Sequence, residues 1–141
     1  MLRLVKNVGC LLLMCALVTA ITARVGLSQS GAAKNDAKAL KNPVKSSPQS
    51  IEAGQKAYQT SCAPCHGAAG KGDGAVAKNL TVKPSDLTDA KWEHGSTDGE
   101  IFVNVRDGIG PQMKMKGFKG KVSDQDIWNI VNYLRSFGSK K

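Results

Sequence analysis

The chain has 141 residues, a formal net charge of +9 and only 5% aromatic residues, so it has room for one small domain whose core cannot rest on bulky side chains alone. A basic balance of this size suits nucleic acid, membrane surfaces or acidic proteins. Nucleic acid is a poor explanation of this balance, because no aromatic residues alternate with the lysines in a strand platform and the N-terminus reads as an export signal.

Residues 1–23 carry that signal: Arg3 and Lys6 form a positive start, Val8 to Val18 an apolar core, and Ala20-Ile21-Thr22-Ala23 a small-residue exit. The pattern fits a cleaved signal peptide or an uncleaved signal anchor, and the apolar run is short beside the about 20 residues of a membrane span. Cys10 and Cys15 fall in this run without the small preceding residue of a lipoprotein site. The rest of the chain is therefore expected to be periplasmic or otherwise exported, with a membrane tether if the anchor is retained. Residues 24–49 combine Ser28, Ser30, Gly31, Pro43, Ser46, Ser47 and Pro48 with four lysines, which reads as a flexible linker without packed structure. One domain follows over 50–138, and a basic tail over 139–141.

Three helices are expected in that domain. The first runs from Ile51 to Ser61, placing Ile51, Gly54, Ala57 and Tyr58 on one face. Gly54 costs about 1 kcal/mol against alanine inside a helix, so its place on the apolar face predicts close approach by another helix, the one bearing Tyr133 and Leu134. The second covers Asp98 to Asp107, with Thr97 as N-cap and Gly108 as terminator; the third follows the Ser123 cap with Ile127, Trp128, Ile130, Val131 and Leu134 on its apolar side and closes at Gly138. No run of β-branched residues suggests a sheet.

Between the first two helices stands Cys62-Ala63-Pro64-Cys65-His66, the sequence form of a c-type haem attachment site. Two thiols two residues apart can form thioethers to the haem vinyl groups, and the adjacent imidazole can reach the iron. A zinc site would need two further ligands, for which only His94 and the two cysteines of the signal remain. A redox dithiol of the thioredoxin kind would need flanking buried strands. One covalent haem also supplies the apolar bulk this domain lacks, and the apo form is expected to fold poorly.

The chain resembles the class I c-type cytochromes, close to the small periplasmic monohaem carriers. The resemblance covers most of Glu52 to Phe137: Gly54-x-x-x-Tyr58-x-x-x-Cys62, Cys65-His66-Gly67, Gly70-x-Gly72-Asp73-Gly74, Pro84-x-Asp86-Leu87, Trp92, Gly95 to Phe102, Arg106-x-Gly108, Phe118 to Lys121, Trp128 and Tyr133-Leu134. It implies an all-α cytochrome c fold with three main helices around one haem c attached through Cys62 and Cys65. It implies His66 as proximal iron ligand and a methionine from the loop before the last helix as distal ligand. Met113 and Met115 both lie in that loop; the family's Met-Pro-x-Phe pattern favours Met115, with Phe118 three residues on, although Lys116 stands where the proline would be.

The His66 ring needs its other nitrogen held, and Pro84 lies in a loop that can offer a carbonyl. Arg106, Trp92 and Gln112 could serve the propionates or the methionine loop, or simply end a helix and fill the core; His94 is expected at the surface. His/Met ligation suits a monomeric one-electron carrier that is not an enzyme. Lys114, Lys116, Lys119 and Lys121 would steer redox partners with acidic docking surfaces toward it. The competing readings are a haem enzyme or gas-binding protein with an open distal site, and a fixed cytochrome subunit of a dehydrogenase or oxidase.

Overall fold

The computed structural model describes residues 36–90, 92–110 and 115–138, all within one unit that begins at Asp36. The expected signal at 1–23, the first part of the expected linker at 24–35, the residues Gln112, Met113 and Lys114, and the tail at 139–141 lie outside the described residues.

Among the described residues, four α-helices make the frame, with a short helical stretch at 36–39 before them. Helix α1 spans Pro48–Ser61 and starts three residues earlier than its apolar face alone suggests, because Ser47 and Ser50 form a capping box with Pro48 in the first turn. The Ser47 hydroxyl accepts the Ser50 N–H at 3.2 Å, and the Ser50 hydroxyl accepts the Ser47 N–H at 3.0 Å. Helix α2 is the single turn Ala63–His66, offset from α1 at Cys62. Helix α3, Asp98–Asp107, opens on a capping box between Thr97 and Glu100 and ends at Gly108 with φ +91°, a left-handed conformation that suits glycine. Helix α4, Asp124–Gly138, begins where the Ser123 hydroxyl accepts the Asp126 N–H at 3.1 Å.

The core forms where α1 and α3 pack against α4. Gly54 is buried, and a Cβ there would overlap the backbone carbonyl of Asn129, so the expected close helix approach is real and the backbones touch. On the other flank Phe102 stacks on Trp128, ring centroids 4.0 Å apart and nearly parallel at 11°. Tyr58, Ile101, Val105, Ile127, Ile130, Val131, Tyr133 and Leu134 complete the cluster.

Helix α4 is buried continuously from Ile127 through Leu134, more than a one-sided helix would be. The segment read as a linker provides the extra cover: residues 36–47 pack on the domain and correct the expectation of an unstructured tether there. Ala37 is 7% exposed and its carbonyl lies against Gly99, where no side chain would fit. The Asn42 amide donates to the Trp128 carbonyl and, at 2.9 Å, to the Asn132 side-chain oxygen. The Asn132 amide in turn donates to the Val44 carbonyl and the Ser50 hydroxyl, both at 3.1 Å. Amide and backbone hydrogen bonds hold this strap rather than large apolar side chains, which is why a composition reading passes over it.

One feature was not expected: a two-residue antiparallel ladder in which β1, Gly108–Ile109, pairs with β2, Met115–Lys116, bringing Ile109 opposite Met115. An isolated bridge also joins Lys119 and Val122. The architecture otherwise remains helical, as read from the sequence. Among the described residues no helix is long and apolar enough to cross a membrane.

Candidate haem-attachment site

Cys62 is the hinge of the motif. Its N–H closes α1 on the Tyr58 carbonyl at 2.8 Å, and its own carbonyl accepts the N–H groups of Cys65 at 3.1 Å and His66 at 2.9 Å. The turn of α2 thereby places both thiols and the imidazole on one short, rigid piece of chain. Both cysteines are free and half-buried. Burial, with a smaller effect from neighbouring Cys65, pushes the Cys62 thiol up to about 12.

The loop that follows wraps back over this turn. The Gly72 N–H donates to the His66 carbonyl at 2.8 Å, the Gly74 N–H to the Cys65 carbonyl at 3.1 Å, and the Val76 N–H to the Pro64 carbonyl at 2.9 Å. Such dense backbone pairing requires chain to lie directly on chain. Gly72, with φ +72°, sits where a Cβ would overlap the Pro84 carbonyl, and Gly74 sits where one would overlap the carbonyl of Pro64. The Gly70-x-Gly72-Asp73-Gly74 run is thus a steric requirement of the cradle.

The histidine ring is held as well. His66 Nδ1 lies 3.1 Å from the Ser85 carbonyl oxygen. A carbonyl can only accept, so Nδ1 carries the proton and Nε2 keeps its lone pair, the form a metal ligand needs. Burial lowers the His66 pKa, only partly opposed by the bond to Ser85, and so maintains the neutral ring. The loop read from the sequence is the one that holds the ring, but the acceptor is Ser85; the Pro84 carbonyl lies over Gly72.

The donor set suits a porphyrin better than a bare ion. Among the described residues no group of three or more His, Cys, Asp or Glu could hold a metal. Two free thiols beside an imidazole with an available Nε2 match thioether attachment and axial ligation. Apolar surface is at hand on the same segment, where Val76, Leu80 and Val82 are all at least 40% exposed.

Met115 is half-buried, packs against the core and is tied to Ile109 by the ladder; Met113 lies outside the described residues. His94 is exposed, 3.9 Å from the Glu93 carboxylate. Arg106 is engaged locally, donating twice to the Asp107 carboxylate at 3.0 and 2.8 Å with its guanidinium 5.1 Å from the Phe102 ring centre. The Trp92 indole N–H donates to the Asp89 carbonyl at 2.9 Å. Sequence reasoning took Tyr58 as an apolar-face residue and missed its hydroxyl, which donates to the Gly67 carbonyl at 2.9 Å inside the core.

The cytochrome c family model matches residues 51–138. The chain is 36% identical over 89 residues to the cbb3-type cytochrome c oxidase subunit FixP of Azorhizobium caulinodans, covering 59% of this chain and 28% of that subunit. It is 30% identical to the cytochrome c550 of Pseudomonas aeruginosa, over 79% of this chain and 72% of the relative. Among solved structures, a chain of the Kuenenia stuttgartiensis reducing HAO-like protein complex matches with TM-score 0.61 and 27% identity, over 70% of this chain and 49% of that one. The chain thus spans under a third of the oxidase subunit but most of the small cytochrome. The family match, the Cys62-x-x-Cys65-His66 turn and the helical frame around it agree: this chain belongs to the cytochrome c family.

Proposed function

We propose that this protein is an exported, monomeric one-electron carrier and not an enzyme, with haem c held as thioethers by Cys62 and Cys65 and with His66 and Met115 as axial ligands. The observation that carries the reading is the His66 ring, whose Nδ1 proton is committed to Ser85 and whose Nε2 is thereby left with a lone pair. When bound, the haem supplies a ferric/ferrous couple.

The chain supplies rigidity. The Ser85 carbonyl stops the His66 ring from turning, the glycine loop prevents the motif from unwinding, and the β1–β2 ladder holds the backbone of Met115. A site that barely moves when its charge changes presents little reorganisation to electron transfer. Optical spectra of the matured protein test this reading: a far-red sulfur-to-iron band and indifference to carbon monoxide are expected, whereas ready carbon monoxide binding shows an open iron and defeats it.

Lys116, Lys119 and Lys121 are exposed around the methionine side and make an acidic redox protein the fitting partner. Electron-transfer rates should fall with rising ionic strength, and the double change Lys119→Glu, Lys121→Glu should flatten that dependence. Resemblance to an oxidase subunit favours a second reading, a cytochrome fixed in a membrane complex. Co-purification with a larger redox partner would select it. Export through residues 1–23 fits both.

A further inference from the structure

Tyr58 grips the haem motif at both ends. Its backbone carbonyl accepts the Cys62 N–H at 2.8 Å, and its side-chain hydroxyl donates to the carbonyl of Gly67, the residue directly after His66, at 2.9 Å. The side chain is fully buried, and its ring is wedged between Tyr133, 5.3 Å away, and Phe137, edge-on at 6.0 Å. Phenylalanine would fill the same space without the cost of desolvating a hydroxyl, a cost that only a hydrogen bond offsets. The hydroxyl therefore has a task beyond packing.

We propose that Tyr58 is a positioning residue for the axial imidazole, its hydroxyl fixing the Gly67–Ala68 peptide, the second after His66, and so the exit of the one-turn helix from which the His66 side chain leaves the backbone. His66 is then held by its own backbone bonds to Cys62 and Gly72, by Tyr58 through the adjoining Gly67 carbonyl, and at the ring by Ser85. Because the Tyr58 ring is clamped by two residues of α4, the α1–α4 interface is connected mechanically to the iron ligand. Loss of the hydroxyl leaves the ring packed but leaves the Gly67 carbonyl held by the Gly70 N–H alone, and the imidazole plane can settle at a different angle. The inference rests on His66 being an axial ligand.

The test compares the matured ferric proteins by proton NMR, in which the spread of the four haem-methyl shifts reports the axial imidazole orientation. Tyr58→Phe should alter that spread, and Tyr133→Phe, which removes a hydroxyl from the same aromatic cluster without touching the motif, should not. An unaltered spread in Tyr58→Phe accompanied only by lower thermal stability overturns the proposal, as does an equal change in both variants. Hyperfine-shifted imidazole resonances in the parent protein are read first: their absence defeats the ligand assignment rather than the role of Tyr58. Should Tyr58→Phe fail to mature, the parent still decides. A Tyr58 hydroxyl proton exchanging roughly tenfold or more slowly than a free phenol, and correlated with Gly67, supports the bond; fast exchange overturns it.

Discussion

The two segments proposed to supply the iron ligands are built differently. Over 62–87 the chain folds back on itself so closely that the carbonyls of Cys62, Pro64, Cys65, His66 and Gly70 all accept backbone N–H groups, with buried Gly72 and Gly74 where backbone meets backbone. Among the described residues of 108–122 the methionine side is held by a two-residue ladder, the Lys119–Val122 bridge, turn bonds, and the Phe118 and Lys119 N–H groups donating to the Val105 and Arg106 carbonyls at 3.0 and 2.9 Å, with Lys116, Lys119 and Lys121 in solvent. The histidine side should resist deformation because many short-range bonds must break together, and the methionine side, with fewer bonds among its described residues, should yield more readily. Changes in potential or ligand affinity among relatives of this chain should therefore be sought first on the methionine side.

The contrast is sharpest at two glycines with nearly the same backbone angle. Gly72 has φ +72° and no room for a Cβ; Gly120 has φ +77° and nothing within 4 Å of one. Gly72→Ala should cost about 3 kcal/mol or more, a left-handed penalty of about 1 to 2 kcal/mol plus displacement of the Pro84 carbonyl, and should impair haem retention. Gly120→Ala should cost about 1 kcal/mol by denaturant unfolding and leave the spectrum intact. Equal costs would mean that the histidine cradle is no stiffer than its counterpart.

Next in size is Asn132→Ala, which removes the side chain joining Asn42, Val44 and Ser50. A loss of about 2 kcal/mol is expected from the partners left in the interior, with faster amide exchange confined to 36–47 and the start of α1. Exchange rising uniformly across the domain would show that the strap is not a separate clasp.

Met115→Leu keeps the volume and should cost about 1 kcal/mol in packing. Its larger effect should be spectroscopic, with loss of the far-red band and gain of carbon monoxide binding. A retained band would assign the distal sulfur to Met113.

The smallest effect is expected at the α3 cap. Hydrogen bonds from Thr97 hold the Glu100 carboxyl below its ordinary value, so its contribution is complete above about pH 4.5 and is lost as pH falls through the lowered value. Glu100→Gln should flatten the decline of stability with acid in that range by slightly lowering stability at neutral pH, the two proteins converging in acid. An unaltered acid profile would place the titration elsewhere.

Local rules made much of this legible from the chain. Thr97 and Ser123 declared helix starts because a side-chain acceptor must meet orphan amides, and Gly108 declared an end because the chain turns left-handed there. The motif named its cofactor because thioether attachment needs two thiols and an imidazole at fixed separation. Gly54 announced the helix crossing, since a glycine in that position is costly without a neighbour pressed against it.

What the tertiary structure decided involves partners distant in sequence that no local pattern encodes. Ser85, nineteen residues from His66, and not Pro84 carries the carbonyl that faces the ring, while the Pro84 carbonyl lies over Gly72. The strap over 36–47 became part of the domain through Asn42, whose partner Asn132 lies ninety positions away. The Tyr58 hydroxyl acquired its acceptor only when α2 and its loop folded back onto α1. Composition and periodicity report which residues prefer burial; a hydrogen bond between remote groups depends on where each is brought, and that geometry exists only in the folded chain.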